Sequence, residues 1–207
     1  KGATEVPSPP TPGPGDATVA ARTAAKAGYY GVLACGGDGT VNEVASGLCD
    51  TDTALGIIPL GSGNGLARHL EIPIDDRAAT RVVARDNVIP CDYCTVNGRP
   101  FFCTFGVGFD AVVSHDFAHR PGRGLINYLK SVIDVFFKYR PETYSITTPD
   151  GTITEKAFLV VCANASQYGN NAYIAPGASV TDGMMDITIV HDGNILENIL
   201  LGADLIT

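Results

Sequence analysis

Leu33-Ala34-Cys35-Gly36-Gly37-Asp38-Gly39-Thr40-Val41-Asn42-Glu43 is the stretch whose reading decides the fold. The apolar run Tyr29–Cys35 that leads into it predicts a buried strand. Gly36, Gly37 and Gly39 predict a turn whose backbone can take positive φ and approach a ligand without Cβ atoms in the way. Val41 to Leu48 then predicts a helix, with Asp38 or Thr40 placed to cap it. The N–H groups and dipole at the start of such a helix favour an anion, and phosphate is the obvious one.

A second loop repeats this logic. Leu55 to Leu60 reads as a strand, Gly61-Ser62-Gly63-Asn64-Gly65 as an open turn, and Gly65 to Leu70 as a short helix. Ser62 and Asn64 supply short polar groups of the kind that hydrogen-bond a ribose or a phosphate. Two such loops after consecutive strands fall at the carboxyl ends of a parallel sheet, where α/β folds bind ligands. Neither loop spells G-x-x-x-x-G-K-[ST] or G-x-G-x-x-G, and no P-loop lysine is present. A nucleotide here is expected to be held by backbone amides, small polar side chains and metal-linked carboxylates.

Working outward, residues 1–15 are rich in Pro, Gly, Ser and Thr and read as a flexible arm. Asp16 to Ala27 reads as a helix ending at Gly28, and Asp75 to Arg85 as another. From Val88 the pattern changes to strands and turns, with hairpin signals at Asn97-Gly98 and Pro149-Asp150-Gly151. Leu125 to Tyr139 is the exception, with apolar residues at helical spacing. The expected organisation is an α/β domain over 16–90 and a β-rich domain over 91–207.

The 207 residues are 45% hydrophobic and 17% charged, as in ordinary globular proteins. A net charge of −8 argues against nucleic acid as a partner and against a purely electrostatic hold on anionic membranes. No apolar run reaches the ~20 residues that span a bilayer, and the first residues do not read as a secretory signal. Of the six cysteines, Cys91 and Cys94 form a C-x-x-C in a strand-like run, an unsuitable chelate because residues three apart on a strand face opposite ways. Cys35, Cys103 and Cys162 read as small core residues, and a reducing, cytoplasmic setting is expected.

Gly36-Gly37-Asp38-Gly39-Thr40-x-Asn42-Glu43, followed by Gly61-Ser62-Gly63-Asn64 and Ala67-Arg68, resembles the diacylglycerol kinase catalytic domain family. That group includes bacterial lipid kinases, sphingosine kinases and ceramide kinases, with NAD kinases as more distant kin. Phe101 to Ala111, and Ala175-Pro176 followed by Asp182-Gly183-Met184-Met185-Asp186, extend the resemblance in family order over nearly the whole chain.

The resemblance implies an α/β nucleotide-binding domain followed by a β-sandwich-type, lipid-binding domain, with ATP in the cleft between them. It implies a lipid kinase that moves the γ-phosphate of ATP, with Mg²⁺, to the hydroxyl of a membrane lipid such as diacylglycerol or a sphingoid base. The contact with the membrane would be transient and peripheral, from the cytoplasm, and a homodimer is left open. Gly36, Gly37, Asp38, Gly39 and Thr40 would hold the phosphates, with Asp38 organising metal or water beside them. Gly61, Ser62, Gly63 and Asn64 would complete the nucleotide site. Asn42 and Glu43 match the family's N-E pair, and equally suit a helix surface. Asp110 corresponds to a segment that meets the acceptor head group, and equally suits a cap on a helix starting near Ala111. Asp182, with the main-chain carbonyls of Ser179 and Met184, corresponds to a structural magnesium site, and equally suits an ordinary turn.

Two departures accompany the resemblance. Gly65 stands where bacterial diacylglycerol kinases commonly have Asp, which makes the second loop more like that of sphingosine kinases. The D-G-E segment that carries the bacterial catalytic base has no counterpart, so this stretch on its own is expected to bind nucleotide without turnover. The other readings are an NAD kinase and a non-catalytic nucleotide-binding module. His115 and His119 read as exposed helix residues. Arg68 suits either a phosphate contact or a solvated helix position, and Arg120, Arg123, Lys130 and Lys138 read as solvated charges with lipid head groups as the alternative.

Overall fold

The computed structural model describes residues 11, 13–119 and 125–191. In chain order the elements are α1 (Asp16–Lys26), β1 (Gly31–Gly36), α2 (Asp38–Leu48), β2 (Ala54–Pro59), α3 (Gly65–His69), α4 (Asp76–Ala84), β3 (Cys94–Val96), β4 (Arg99–Phe101), β5 (Thr104–Gly108), α5 (Phe109–His119), α6 (Leu125–Phe136), β6 (Glu142–Thr148), β7 (Gly151–Ala163) and β8 (Asp186–His191). They form two compact units. One holds the residues up to Gly61 and Glu71–Ile89; the other holds Ser62–Leu70 and the chain from Pro90 onward.

In the first unit, α1 stops where its sequence predicts. Gly28 takes φ 77°, the Gly28 amide donates to Ala25 O at 3.0 Å, and the Tyr29 amide donates to Ala24 O at 3.1 Å. These are the two bonds of a Schellman stop, which needs glycine at that φ. Val41, Val44, Ala45 and Leu48 recur at helical spacing and form the buried face of α2. Buried Ala21 of α1 lies against Gly47 of α2, and Thr18 Oγ1 donates to Glu43 O at 2.9 Å. Strands β1 and β2 pair in parallel, from Gly31 opposite Ala54 to Gly36 opposite Pro59. Asp75 caps α4 by accepting the Ala78 amide at 2.8 Å.

Strand β1 departs from its expected burial. Only Ala34 is buried, Leu33 is 42% exposed, and Cys35, expected in the core, is exposed. The reason is its company: among the described residues β1 has β2 as its one paired neighbour.

In the second unit, Asn97 (φ 49°) and Gly98 (φ 75°) make the two-residue turn between β3 and β4. Positive φ at both positions is the requirement of a type I′ hairpin. Pro149-Asp150 joins β6 to β7, with Thr148 opposite Gly151. The 13-residue β7 organises this unit. Its first half pairs with β6, and its second half lies between β5 and β8, all antiparallel. Val161 and Ala163 pack there with Ile174, Ala175 and Ala178. Phe109 stacks on Phe158 at 4.5 Å and meets Phe136 and Tyr139 edge-on, the offset geometries aromatic quadrupoles favour. β3 starts only at Cys94, so Cys91 lies outside the strand expected for the C-x-x-C.

Candidate functional site

The first glycine loop stands at the carboxyl end of β1. Gly36 needs to be glycine because Thr40 folds against it: a Cβ at Gly36 would lie 2.5 Å from Thr40 Oγ1 and 2.7 Å from Thr40 Cβ. Helix α2 opens at Gly37 with extended backbone (φ −90°, ψ −170°) and no side-chain cap. The expectation that Asp38 or Thr40 caps it is therefore corrected. Asp38 is the first helical residue and Thr40 is turned to Gly36, so neither sits at the capping position. An uncapped helix start leaves its leading N–H groups to other acceptors.

Asp38 and Gly39 are exposed. Asn42 is exposed one turn beyond Asp38 on the same face, and Glu43 is half-buried on the side of α1. The second loop begins beside the first. The Leu60 amide donates to Gly36 O at 2.9 Å, and a Cβ on Gly37 would come within 3.1 Å of Gly61 Cα. The carboxyl ends of two parallel strands thus bring Gly36–Thr40 and Gly61 together.

Ser62, Gly63 and Asn64 continue the second loop within the second unit, where sequence reading had placed them in the first. Asn64 is 4% exposed with φ 55°, left-handed, and forms an antiparallel bridge with Gly169. Gly63 O accepts from Arg68 Nε at 3.0 Å and from the Asn170 amide at 3.1 Å. Arg68 Nη1 also donates to Asn171 Oδ1 at 3.1 Å. His69 Nδ1 accepts the Ser166 amide at 3.2 Å and lies 3.0 Å from Ser166 Oγ. That bond places the neutral ring's proton on Nε2, and burial lowers the ring's pKa below the usual histidine value.

Asp110 lies inside the first turn of α5, which starts at Phe109, so it is not the cap that one reading of the sequence expects. Its carboxylate is folded over Gly106, where a Cβ would collide with it. Burial pushes its pKa up, and the Tyr168 hydroxyl nearby partly opposes the shift.

At Thr181-Asp182-Gly183, Asp182 Oδ1 accepts the Met184 amide at 2.9 Å, an Asx turn. Ser179 Oγ pairs with Thr181 Oγ1 at 3.1 Å. Asp92, which sequence reading did not single out, accepts the Gly183 amide at 2.7 Å through Oδ2. Asp92 is itself anchored: its amide donates to Val180 O at 2.7 Å and its carbonyl accepts from buried Asn164 Nδ2 at 2.9 Å. Two carboxylates and main-chain oxygens at one turn are the donor chemistry of a hard cation. Among the described residues no three His, Cys, Asp or Glu side chains gather as a metal site, so a cation at this turn would depend on carbonyl ligands.

His115 and His119 stack on one exposed helix face, and His119 Nδ1 bonds His115 O at 2.8 Å. Lys130 and Lys138 are exposed, and Arg120 and Arg123 lie outside the described residues. Among the described residues no helix is long and apolar enough to cross a membrane.

The sequence matches the family described as diacylglycerol kinase catalytic domain over residues 3–96. It matches the YegS C-terminal NAD kinase beta sandwich-like domain over residues 104–201. It is 33% identical over 192 residues to the diacylglycerol kinase of Bacillus subtilis, covering 88% of this chain and 62% of that one. It is 34% identical over 183 residues to a Chromohalobacter salexigens protein named "Probable lipid kinase YegS-like", covering 86% and 59%. The crystal structure of a diacylglycerol kinase from Bacillus anthracis Sterne superimposes with a TM-score of 0.71 at 27% identity, covering 92% of this chain and 65% of that one. The chain spans about three fifths of the length of the curated relatives it matches.

Proposed function

The chain belongs to the diacylglycerol kinase catalytic domain family, and from that premise we propose that its parent protein is a lipid kinase that transfers the γ-phosphate of ATP to the hydroxyl of a membrane lipid. The observation that carries this reading is the uncapped start of α2, set at the carboxyl ends of two parallel strands where Gly37 and Gly61 nearly touch. Phosphate oxygens fit such a place: the dipole of a helix start favours negative charge, and the glycines bring no Cβ into the turn.

In this reading Gly36, Gly37, Gly39 and Thr40 cradle the phosphates, and Gly61, Ser62, Gly63 and Asn64 complete the nucleotide site. Asp38, exposed in the first turn, orients the water or metal shell beside them, and Asn42 one turn on reaches the same face. Glu43 belongs to the same helix start, with its carbonyl held by Thr18. Mg²⁺ accompanying ATP supplies neutralisation of the charge that develops on the transferring phosphoryl group. A second Mg²⁺ is proposed at the Ser179–Met184 turn, held by the Asp182 carboxylate and the carbonyls of Ser179 and Met184. Asp110, a half-buried carboxylate near Tyr168, is proposed to meet the acceptor's head group. The lipid is met at the cytoplasmic membrane surface through transient, peripheral contact.

Radiolabelled ATP, Mg²⁺ and mixed micelles of diacylglycerol or sphingosine test the proposal on the full-length parent, with Asp38→Ala as control. Label in a chloroform-soluble product that the control fails to make is expected, and it names the acceptor. ATP binding without any lipid product would overturn the lipid kinase reading. Phosphate on NAD would redirect it to NAD kinase; no acceptor at all would redirect it to a non-catalytic module.

A further inference from the structure

Arg68 has two obvious fates on its sequence position, a phosphate contact or solvent, and the structure gives it a third. Its guanidinium reaches back five residues to Gly63 O at 3.0 Å and forward 103 residues to Asn171 Oδ1 at 3.1 Å. Asn171 is held in turn, its amide donating to Gln167 Oε1 at 3.1 Å, and Gln167 is 1% exposed. The Asn170 amide supplies a second donor to Gly63 O, so both lone pairs of that carbonyl are used. Gly169, at φ 116°, lies flat on the same peptide: a Cβ there would stand 2.7 Å from both Gly63 C and Gly63 O.

A peptide bond is planar and trans, so fixing the Gly63 carbonyl also fixes the opposed amide of Asn64. Asn64 itself holds a left-handed φ of 55°, a region asparagine enters more readily than most L-residues, and its surroundings keep it there. The surroundings here are a chain of hydrogen bonds that starts at a buried glutamine and ends on the glycine loop.

We propose that Gln167, Asn171 and Arg68 form a latch that holds the Gly63–Asn64 peptide in its nucleotide-binding orientation, which makes Arg68 a positioning residue for ATP. The inference rests on the reading of Gly61–Asn64 as a nucleotide loop. Arginine suits the task because its planar fork engages two acceptors at a fixed angle, whereas lysine offers one mobile charge. The latch also explains why a loop spelled for the α/β domain folds with the other unit.

The test is the affinity of the full-length parent for a fluorescent ATP analogue, alongside thermal melting. Arg68→Ala is expected to weaken affinity about tenfold, the weight of a charge-assisted hydrogen bond to a carbonyl. Arg68→Lys is expected to recover only part of that loss, and Asn171→Ala to weaken affinity about threefold. A folded Arg68→Ala protein that binds as tightly as the wild type overturns the latch while leaving the kinase reading intact. Should Arg68→Ala fail to fold, wild-type affinity in Asn171→Ala overturns it equally. Wild-type binding without lipid phosphorylation sinks the kinase reading alone, and the ranking of affinities still judges the latch. A wild type with no affinity for the analogue overturns both.

Discussion

Gly36 meets Thr40, four residues along the chain, whereas Gly63 is held by Gly169 and Asn170, more than a hundred residues away. The two loops follow the same recipe of apolar strand, glycine turn and helix, yet they are determined by different ranges of interaction. The first closes on its own helix and on the neighbouring strand. The second reaches its conformation only when the Gln167–Tyr173 segment has folded. A short-range loop is specified by its own letters; a long-range one needs a partner that its letters do not name.

The largest expected effect strikes the second loop. Gly169→Ala forces an L-residue to φ 116° and drives its Cβ into Gly63, a cost of about 3 kcal/mol or more. Urea unfolding should show it, and a variant within ~0.5 kcal/mol of wild type would break the claim that this loop is tertiary in origin. Next comes Asp38→Ala in the first loop. Asp38 is exposed at the first position of α2, so its loss should cost no more than the ~0.3–1 kcal/mol of a carboxylate at a helix start, while phosphotransfer by the full-length parent falls about a hundredfold. Equal losses of stability and activity would show the first loop to be less self-contained than its geometry indicates.

Asn64 separates backbone from side chain in the second loop. Asn64→Ala should cost about 1–2 kcal/mol through the left-handed φ on top of the buried amide it removes, whereas Asn64→Gly removes the same amide without that strain and should be the more stable of the two, with nucleotide affinity lost in both. If glycine also restores full affinity, the asparagine side chain touches no nucleotide.

The smallest effect is a pH dependence. His69 has a lowered pKa when folded, so the unfolded chain takes up its proton first as pH falls below about 6.5. The stability present above that pH is lost on acidification through this window. Melting followed from pH ~7.5 to ~5 should show the loss, and His69→Asn should flatten it. An unchanged slope would mean that the Ser166–His69 contact contributes little to anchoring α3.

Legibility follows the same division. Gly28 as the stop of α1, Asp75 as the start of α4, and Asn97-Gly98 as a hairpin were readable because each acts on bonds within a few residues. The capping of α2 was misread: Asp38 and Thr40 are capping residues by type, but Thr40 is drawn to Gly36 and the helix starts earlier. Cys35 was misread because an apolar run says nothing of how many neighbours a strand will find. Asp92, Tyr168 and Asn171 gave no signal at all. Each acquires its partner, at Gly183, Asp110 and Arg68 respectively, only when distant segments meet.

The sequence by itself determined the two glycine loops, the helices and hairpins around them and the family they belong to, because glycine, proline and capping chemistry work through adjacent backbone. The tertiary structure alone decided which unit the second loop joins, that Asp110 is partly withdrawn from solvent and what holds Gly63. Those depend on hydrogen bonds and close packing between residues far apart in the chain, and no local pattern encodes a distance of that kind.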